Sequence, residues 1–268
     1  MPNITFSTCW YNFKAKFPST TYQQWINNML SNVNNYFLII YTDAEGYTFL
    51  EKYIKDNIKI IIKPYCDFYC YKYVKEWTYN HENNHLLKNS IDWKVNMLWS
   101  EKIHFVKSTM ESNYFNTEYF GWCDIGYFRN GKNDSPTHKL LGWPDDKKIN
   151  NLNINKIHYA IVNRNPGYIH QLYSLIKDTN KNGLPKIPIP PNQISVAGGF
   201  FIGHKSKIDW WHTYYYNKLQ SYFDNNYLVK DDQQIIINCI LENTDNFQLY
   251  KEDNRLYDNW FMFQRILL

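Results

Sequence analysis

The sequence predicts an α/β protein in which one mostly parallel sheet is flanked by helices. Strand-like and helical runs alternate over the first 63 residues, and this alternation is typical of a parallel, Rossmann-like sheet. A later apolar run, Tyr119–Gly126, ends on a single carboxylate, Asp124. Because α/β chains of 268 residues commonly fold as one unit, we expect a single domain over residues 1–268.

The N-terminal half carries the clearest alternation. Its periodicity predicts five elements in the order β-α-β-α-β, namely Ile4–Trp10, Tyr22–Val33, Tyr36–Thr42, Phe49–Asp56 and Ile58–Lys63. Right-handed crossovers between parallel strands place such helices on the faces of the sheet. We therefore expect residues 1–130 to form a Rossmann-like, nucleotide-binding half of the domain.

The remaining elements follow from weaker patterns. Residues 64–93 have no clear period and are predicted to form a loop or short helices. Prolines between residues 178 and 192 exclude a continuous helix or central strand, so a long loop is expected there. The predicted helices are Val95–Met110, Ile208–Tyr222 and Asp231–Leu241, and the predicted strands are Lys156–Val162, Ala197–His204 and Phe247–Tyr250.

Composition excludes several classes of function. The net charge of +4 is mild and Lys and Arg form no dense run, so no nucleic-acid partner is expected. No apolar stretch approaches the roughly 20 residues of a transmembrane helix, and the N-terminus lacks a signal-peptide pattern. Five scattered cysteines do not suggest a disulfide framework. We therefore expect a cytoplasmic protein with reduced thiols and no transmembrane segment.

The motifs around Asp124 resemble those of the HtrL/YibB family, bacterial proteins that look like glycosyltransferases of the GT-A fold. The segments that carry the resemblance are Ser7–Tyr11, Tyr41–Asp43, Trp99–Lys102, Gly121–Gly126, Gly198–Gly203 and Asp231–Gln234. Their order is also similar to that of retaining GT-A enzymes such as the blood-group transferases, in which a metal-binding Asp-x-Asp precedes a glycine-glycine strand and an acidic helix start. Trp122 stands at the first position of that motif, so only Asp124 is carried over.

The resemblance implies a GT-A-like enzyme that transfers a sugar from a nucleotide-sugar donor to a glycan, glycoconjugate or other hydroxyl acceptor. The departing diphosphate carries charge that a divalent cation or fixed Lys and Arg donors must stabilise. Asp124 is expected to hold Mn²⁺ or Mg²⁺, with His204 or an acid of the later cluster as a second ligand. Lys102 and Arg129 are candidates to neutralise phosphate directly.

The resemblance also implies roles for the later segments and the strand ends, with residues 131–268 as the acceptor and catalytic half. Gly198 and Gly199 lack a Cβ, so the backbone can approach a sugar ring closely. Asp231 or Asp232 is expected to contact the donor sugar or to be the catalytic carboxylate, as base in an inverting reaction or stabiliser in a retaining one. The remaining expected nucleotide-sugar-binding residues are Thr8, Tyr11, Asp43 and Gln233.

Each of these residues also has a structural interpretation. Asp124 suits a turn, the acidic pair suits the capping of a helix, and the glycine pair suits a β-bulge. Loss of the first acid of Asp-x-Asp also suits a non-catalytic carbohydrate-binding domain or a degenerate transferase. A further alternative is a zinc hydrolase, because His81-Glu-Asn-Asn-His85 matches the H-E-x-x-H pattern, although its surroundings are polar.

Overall fold

A computed structural model describes residues 2–268, in which seven strands form one sheet. The strands are β1 (Ile4–Trp10), β2 (Phe37–Thr42), β3 (Ile58–Ile62), β4 (Tyr119–Cys123), β5 (Ile157–Ala160), β6 (Phe200–His204) and β7 (Phe247–Tyr250). Their order across the sheet is β3-β2-β1-β4-β6-β5-β7. The predicted strands are therefore present, with β1 and β7 at the predicted bounds.

Strand direction is mostly parallel, as the sequence predicts. The pairs β1–β2, β2–β3, β1–β4 and β5–β7 are parallel, whereas β6 runs antiparallel to both of its neighbours, β4 and β5. The chain moves outward from β1 through β2 to β3 and then returns to place β4 on the other side of β1. The carboxyl ends of β1 and β4 thus lie at a topological switch point, where α/β sheets bind ligands.

Helices cover both faces of the sheet. They are α1 (Ser19–Leu30), α2 (Ala44–Leu50), α3 (Val74–Asn83), α4 (Trp93–Ser112), α5 (Asp146–Asn150), α6 (Pro166–Lys177), α7 (Lys205–Asp224), α8 (Asp232–Glu242) and α9 (Phe263–Ile266). The predicted helix over residues 49–56 is wrong in position, because Asp43 caps the helix at its N-terminus and α2 begins at Ala44. Residues 64–83 contain short 3₁₀ helices and α3, in agreement with the prediction.

Alternation along the strands divides the core into two layers. Phe6 of β1 and Cys123 of β4 pack with α1, whereas Phe120 and Trp122 of β4 pack with α4, α7 and α8. Side chains two residues apart in a strand share a face. Asp124, which directly follows β4, therefore lies on the α4 side of the sheet. Within residues 2–268, no helix combines the length and the hydrophobicity needed to cross a membrane.

Gly121 in the middle of β4 offers a test of this packing. A Cβ at this position would lie 2.3 Å from the carbonyl oxygen of Phe201 on β6, so the backbone itself would have to shift. We expect Gly121→Ala to lower the free energy of unfolding by about 1–3 kcal/mol or more, measured by urea denaturation. The control is Gly142→Ala, which meets no atom within 4 Å and should be neutral or slightly stabilising. Equal stabilities for the two variants would contradict this account of β4.

Candidate functional site

A cleft with two connected lobes opens at the switch point of the sheet. The aromatic lobe, about 120 Å³, lies beyond the end of β1, and the polar lobe, about 340 Å³, lies over the start of α8. Both lobes are lined by Tyr22, Trp99, Lys102, Asp124, Gly126 and Arg129. The cleft therefore joins residues from the two halves of the chain around Asp124.

The centre of the cleft is an ion-pair cluster around Lys102. Its Nζ lies 3.2 Å from Oδ1 of Asp124 and 3.1 Å from Oδ2 of Asp232, and it donates a hydrogen bond of 2.9 Å to the carbonyl oxygen of Gly198. The Lys102 side chain is 8% exposed, that of Asp232 is 5% exposed and that of Asp124 is 43% exposed. The Lys102 ammonium therefore links the end of β4 to the start of α8, and only Asp124 opens broadly to solvent.

The charge state of the cluster follows from this geometry. The nearby carboxylates raise the pKa of Lys102 further than burial lowers it, so its ammonium stays protonated. Burial raises the pKa of Asp232 to about 6, and Lys102 opposes that rise. Asp232 is consequently a carboxyl group that changes its charge close to neutral pH.

Two glycines make room for the two carboxylates. A Cβ on Gly198 would lie 2.9 Å from Oδ2 of Asp232, and a Cβ on Gly199 would lie 2.9 Å from Oδ2 of Asp124. The backbone N–H of Asp124 also donates to the carbonyl oxygen of Gly199, at 2.9 Å. Within the protein, the backbone of the two glycines therefore approaches the pair of acids, and its approach to a sugar ring stays a prediction.

Trp122 has a defined role at the position where an Asp-x-Asp motif has its first acid. Its indole Nε1–H donates a hydrogen bond of 2.6 Å to Oδ1 of Asp124. The indole therefore presents a donor to the acid rather than a second acceptor for a ligand. It also fixes the Asp124 side chain, because two donors, Trp122 and Lys102, act on one carboxylate oxygen.

Asp231 occupies the N-cap position of α8 without capping it. The Asp231 side chain forms no capping hydrogen bond, and Gln234 instead accepts from the backbone N–H of Lys230 at 2.9 Å. Oδ2 of Asp231 pairs with Nζ of Lys230 at 3.0 Å, whereas its buried Oδ1 has no hydrogen-bond partner in the described chain. Asp231 and Gln233 both line the polar lobe. An unsatisfied buried acceptor facing a cleft is a place for a ligand hydroxyl.

The aromatic lobe is built from residues at and beyond the end of β1. Cys9, Trp10 and Tyr11 line it together with Trp99 and Trp122. The hydroxyl of Tyr11 donates to the carbonyl oxygen of Lys63 at 2.7 Å, which joins the ends of β1 and β3. Flat apolar walls of this kind suit a planar ring such as a nucleobase.

Two cations of the cleft have free donors. The guanidinium of Arg129 lies 4.2 Å from the ring centre of Trp25 and 5.0 Å from that of Phe261, and its Nε donates to Gly126. Nζ of Lys16 lies 4.8 Å from the ring centre of Trp99. Within residues 2–268, neither side chain forms an ion pair, and both line the polar lobe. Arg129 was predicted, whereas Lys16 was missed because a lone lysine after a strand carries no pattern.

Thr8 and Asp43 are not brought into the cleft. Thr8 is fully buried and lies on the α1 side of the sheet with Phe6, because the two-residue period of β1 turns it away from Cys9. The Asp43 carboxylate caps α2 by accepting from the backbone N–H of Gly46 at 2.8 Å. Neither residue lines the two lobes. Both residues were predicted to bind a ligand because they lie at the ends of strands. That prediction did not consider which face of β1 Thr8 lies on, or that Asp43 caps the next helix.

His204 lies near the opposite end of β4 from Asp124. Because β6 is antiparallel to β4, His204 pairs with Tyr119, five residues before Asp124 and roughly 16 Å away along a strand. Its ring caps α7 through Ser206 and lies 3.4 Å from Glu118. The prediction that His204 shares a metal ion with Asp124 is therefore wrong, because the sequence pattern did not reveal the direction of β6.

The residues at Asp124 do not fit the divalent cation that the resemblance implies. Among residues 2–268, no group of three or more His, Cys, Asp or Glu side chains could hold a metal ion. The oxygens of Asp124 and Asp232 that face each other contact an ammonium instead. The zinc-hydrolase pattern is also not formed, because α3 ends at Asn83 and leaves His85 beyond the helix that carries His81.

Glu101 is a buried carboxylate that sequence reasoning missed. It neighbours Lys102 in α4 and faces the 3₁₀ helix Tyr69–Tyr73. Its two oxygens accept from the backbone N–H groups of Tyr69 and Cys70 at 2.7 and 2.9 Å. It is fully buried, and burial raises its pKa to about 7. Glu101 therefore anchors residues 69–73 against α4.

Comparison with known proteins agrees with the motifs. The family model described as "Bacterial protein of unknown function (HtrL_YibB)" matches residues 9–267. The chain belongs to this family. The resemblance drawn from the sequence motifs is thereby confirmed at the level of the HtrL_YibB family, and the residues that line both lobes lie within the matched range. No curated protein matches the chain.

The cluster of Lys102 predicts a pH-dependent stability change. We expect Lys102→Met to lower the free energy of unfolding by about 3–5 kcal/mol at pH 8, because it leaves the Asp232 carboxylate buried without a partner. The folded-state pKa of Asp232 is raised, so its ionisation destabilises the fold as pH rises through about 6. The loss should therefore be smaller at pH 5, where Asp232 is protonated.

Urea denaturation at both pH values measures this difference. The matched control is Lys107→Met in the same helix, where the lysine pairs with Glu111 and Asp209 at the surface. Exposed ion pairs contribute about 0–1 kcal/mol, so this variant should lose little at either pH. An equal loss for Lys102→Met at pH 5 and pH 8 would show that Asp232 is not the group left unpaired.

Proposed function

We propose that this protein is a glycosyltransferase of the GT-A type that transfers a sugar from a nucleotide-sugar donor to a glycan, glycoconjugate or other hydroxyl acceptor. The observation that carries the proposal is the convergence of Asp124, Asp232 and the Gly198–Gly199 backbone at the switch point of the sheet. The family match does not test this activity, because the family is described as of unknown function.

The two lobes suggest how a donor is arranged. A nucleobase suits the aromatic lobe, where Tyr11, Trp10 and Trp99 present rings at the end of β1. A diphosphate suits the junction of the lobes, where Arg129 has free guanidinium donors. The sugar then lies in the polar lobe against Asp231 and Asp232.

The acids of the polar lobe support two different tasks. Asp231 has a buried oxygen without a partner, which suits hydrogen bonds from sugar hydroxyls. Asp232 has a pKa raised to about 6, which suits a carboxylate that accepts a proton near neutral pH. In an inverting reaction, Asp232 would take the proton of the acceptor hydroxyl. In a retaining reaction, it would stabilise the positive charge that develops at the sugar.

A second candidate function is a carbohydrate-binding domain that has lost transferase activity. The observation that favours it is the ion pair between Asp232 and Lys102, since a carboxylate held by an ammonium is a weaker base than a free one. Aromatic walls and an acidic lobe bind sugars in either case. The two functions differ in turnover, because a binding domain shows affinity for glycans without cleavage of any nucleotide sugar.

The proposal also includes a cytoplasmic location. The five cysteines are free, and three of them, Cys70, Cys123 and Cys239, are buried as thiols. Reduced thiols are the ordinary state of cysteine in the cytoplasm.

Donor binding is the first test of the proposal. A ligand that binds the native state alone stabilises it by about 2.7 kcal/mol at a hundredfold excess over its dissociation constant. We therefore expect a nucleoside diphosphate or nucleotide sugar from a panel to raise the melting temperature by several degrees. The control is Trp99→Ala, which removes a wall shared by both lobes and should abolish the shift. A panel without any shift in the native protein would remove the support for a nucleotide site.

The role of Asp232 is the second test. Asp232→Asn should fold normally and lose on the order of 10²-fold or more in the rate of transfer or donor hydrolysis, because a positioned acid–base group is removed. The control is Asp43→Asn, at a helix cap where Asn serves as well as Asp. In an inverting reaction, the native rate should rise with pH and level off above about 6, as Asp232 loses its proton. Native turnover in Asp232→Asn would eliminate the catalytic role.

A further inference from the structure

We propose that the Lys102 ammonium takes the place of a divalent cation in this site, so that the nucleotide-sugar donor binds without metal. The inference rests on the proposed function, because it concerns how the same cleft meets the charge of a diphosphate. It is argued from the atoms around Lys102 and from the remaining cations of the cleft.

The position of the ammonium leaves no room for a metal ion between the acids. Nζ of Lys102 is surrounded by the carbonyl oxygen of Gly198 at 2.9 Å, Oδ2 of Asp232 at 3.1 Å and Oδ1 of Asp124 at 3.2 Å. A cation that bridges two carboxylates lies about 2.0–2.6 Å from each oxygen, which is within the same small volume. The ammonium and a divalent cation therefore exclude each other.

The second donor on Asp124 reinforces the exclusion. Oδ1 of Asp124 contacts both the Lys102 ammonium and the Trp122 indole N–H. These two groups compete with a metal ion for that oxygen. The indole replaces the acid expected two residues before Asp124, and the ammonium supplies positive charge at the centre. The two residues thus act together in place of an acid and a cation.

The Lys102 ammonium is surrounded by oxygens of the protein. It donates a hydrogen bond to the carbonyl oxygen of Gly198 and forms ion pairs with Asp124 and Asp232, so its main effect on a bound diphosphate is through its charge. Direct contacts must come from Lys16 and Arg129, which line the polar lobe and form no ion pair within residues 2–268. Arg129 donates only its Nε to the protein, which leaves a planar fork for a phosphate group. These two residues are phosphate-binding residues in this proposal.

The native protein gives the first test, since it requires no variant to fold. Mn²⁺ alone should not shift its melting temperature. When Mn²⁺ is added at millimolar concentration, electron paramagnetic resonance should show only the signal of the free ion. The affinity for the best nucleoside diphosphate of a panel should be the same in EDTA and in Mn²⁺, measured by calorimetry. Tight Mn²⁺ binding that Asp124→Asn removes, or loss of nucleotide binding in EDTA, would overturn the proposal.

A variant without the Lys102 ammonium should bind Mn²⁺, in contrast to the native protein. Lys102→Ala frees two facing carboxylates and the carbonyl oxygen of Gly198, so Mn²⁺ should now bind and raise the melting temperature of the variant by several degrees. Lys107→Ala is the matched control, because it removes another α4 lysine that pairs with two carboxylates, Glu111 of α4 and Asp209 of α7, and should gain no Mn²⁺ affinity. A folded Lys102→Ala protein without Mn²⁺ affinity would contradict the assignment. If this variant does not fold, the measurements on the native protein still decide the question.

The phosphate contacts are tested by neutral substitutions. Lys16→Gln and Arg129→Gln should each weaken binding of the nucleoside diphosphate roughly tenfold or more, in EDTA as in Mn²⁺. The control is Lys14→Gln, whose ammonium contacts the carbonyl oxygen of Asn89 outside the cleft. Unchanged affinity in both cleft variants would overturn their assignment.

The two levels of the proposal fail in different ways. If no nucleoside diphosphate binds under any condition, the proposed function falls. The Mn²⁺ measurements on the native protein and on Lys102→Ala use no nucleotide, so they still report whether the ammonium holds the position of a cation.

Discussion

The ion pairs of Lys102 with Asp124 and Asp232 are the interaction on which the site depends. They join the end of a central strand to the start of α8, and they neutralise one buried and one half-exposed carboxylate that the fold brings together. Burial of the Asp232 carboxylate beside a second acid is unfavourable unless a cation lies between them. The glycine pair, the indole of Trp122 and the position of α4 all serve this arrangement, because each either leaves space for the acids or fixes them in place.

Most of the sheet could be predicted from the sequence because strand periodicity and alternation are local signals. The order β-α-β-α-β placed β1, β2 and β3 correctly, and the apolar run before Asp124 marked β4. The direction of β6 could not be obtained in that way, because it depends on which neighbours the strand meets. The helix α6 was overlooked, although Asn165 and Pro166 form an ordinary helix start that the sequence shows.

The sequence predicted those parts of the candidate site that lie in or next to recognisable motifs. The motifs identified Asp124, Lys102, Arg129, Gly198, Gly199 and the acidic pair as neighbours, and the structure brings them to one cleft. The errors concern residues for which a capping or packing role competes with ligand binding. Asp43 caps α2, His204 caps α7, and Thr8 lies on the other face of β1. Lys16 was missed because only the folded chain places it beside Trp99.

Glu101 and Lys102 are consecutive in α4 and are held by different parts of the molecule. An α-helix turns by about 100° per residue, so the two side chains point in different directions, one towards residues 69–73 and the other towards β4 and α8. Rotation or sliding of α4 would break both attachments at once. The helix α4 is therefore attached on two sides, and we expect the cleft to adjust to a ligand through the segments that carry Arg129 and Phe261 rather than through α4.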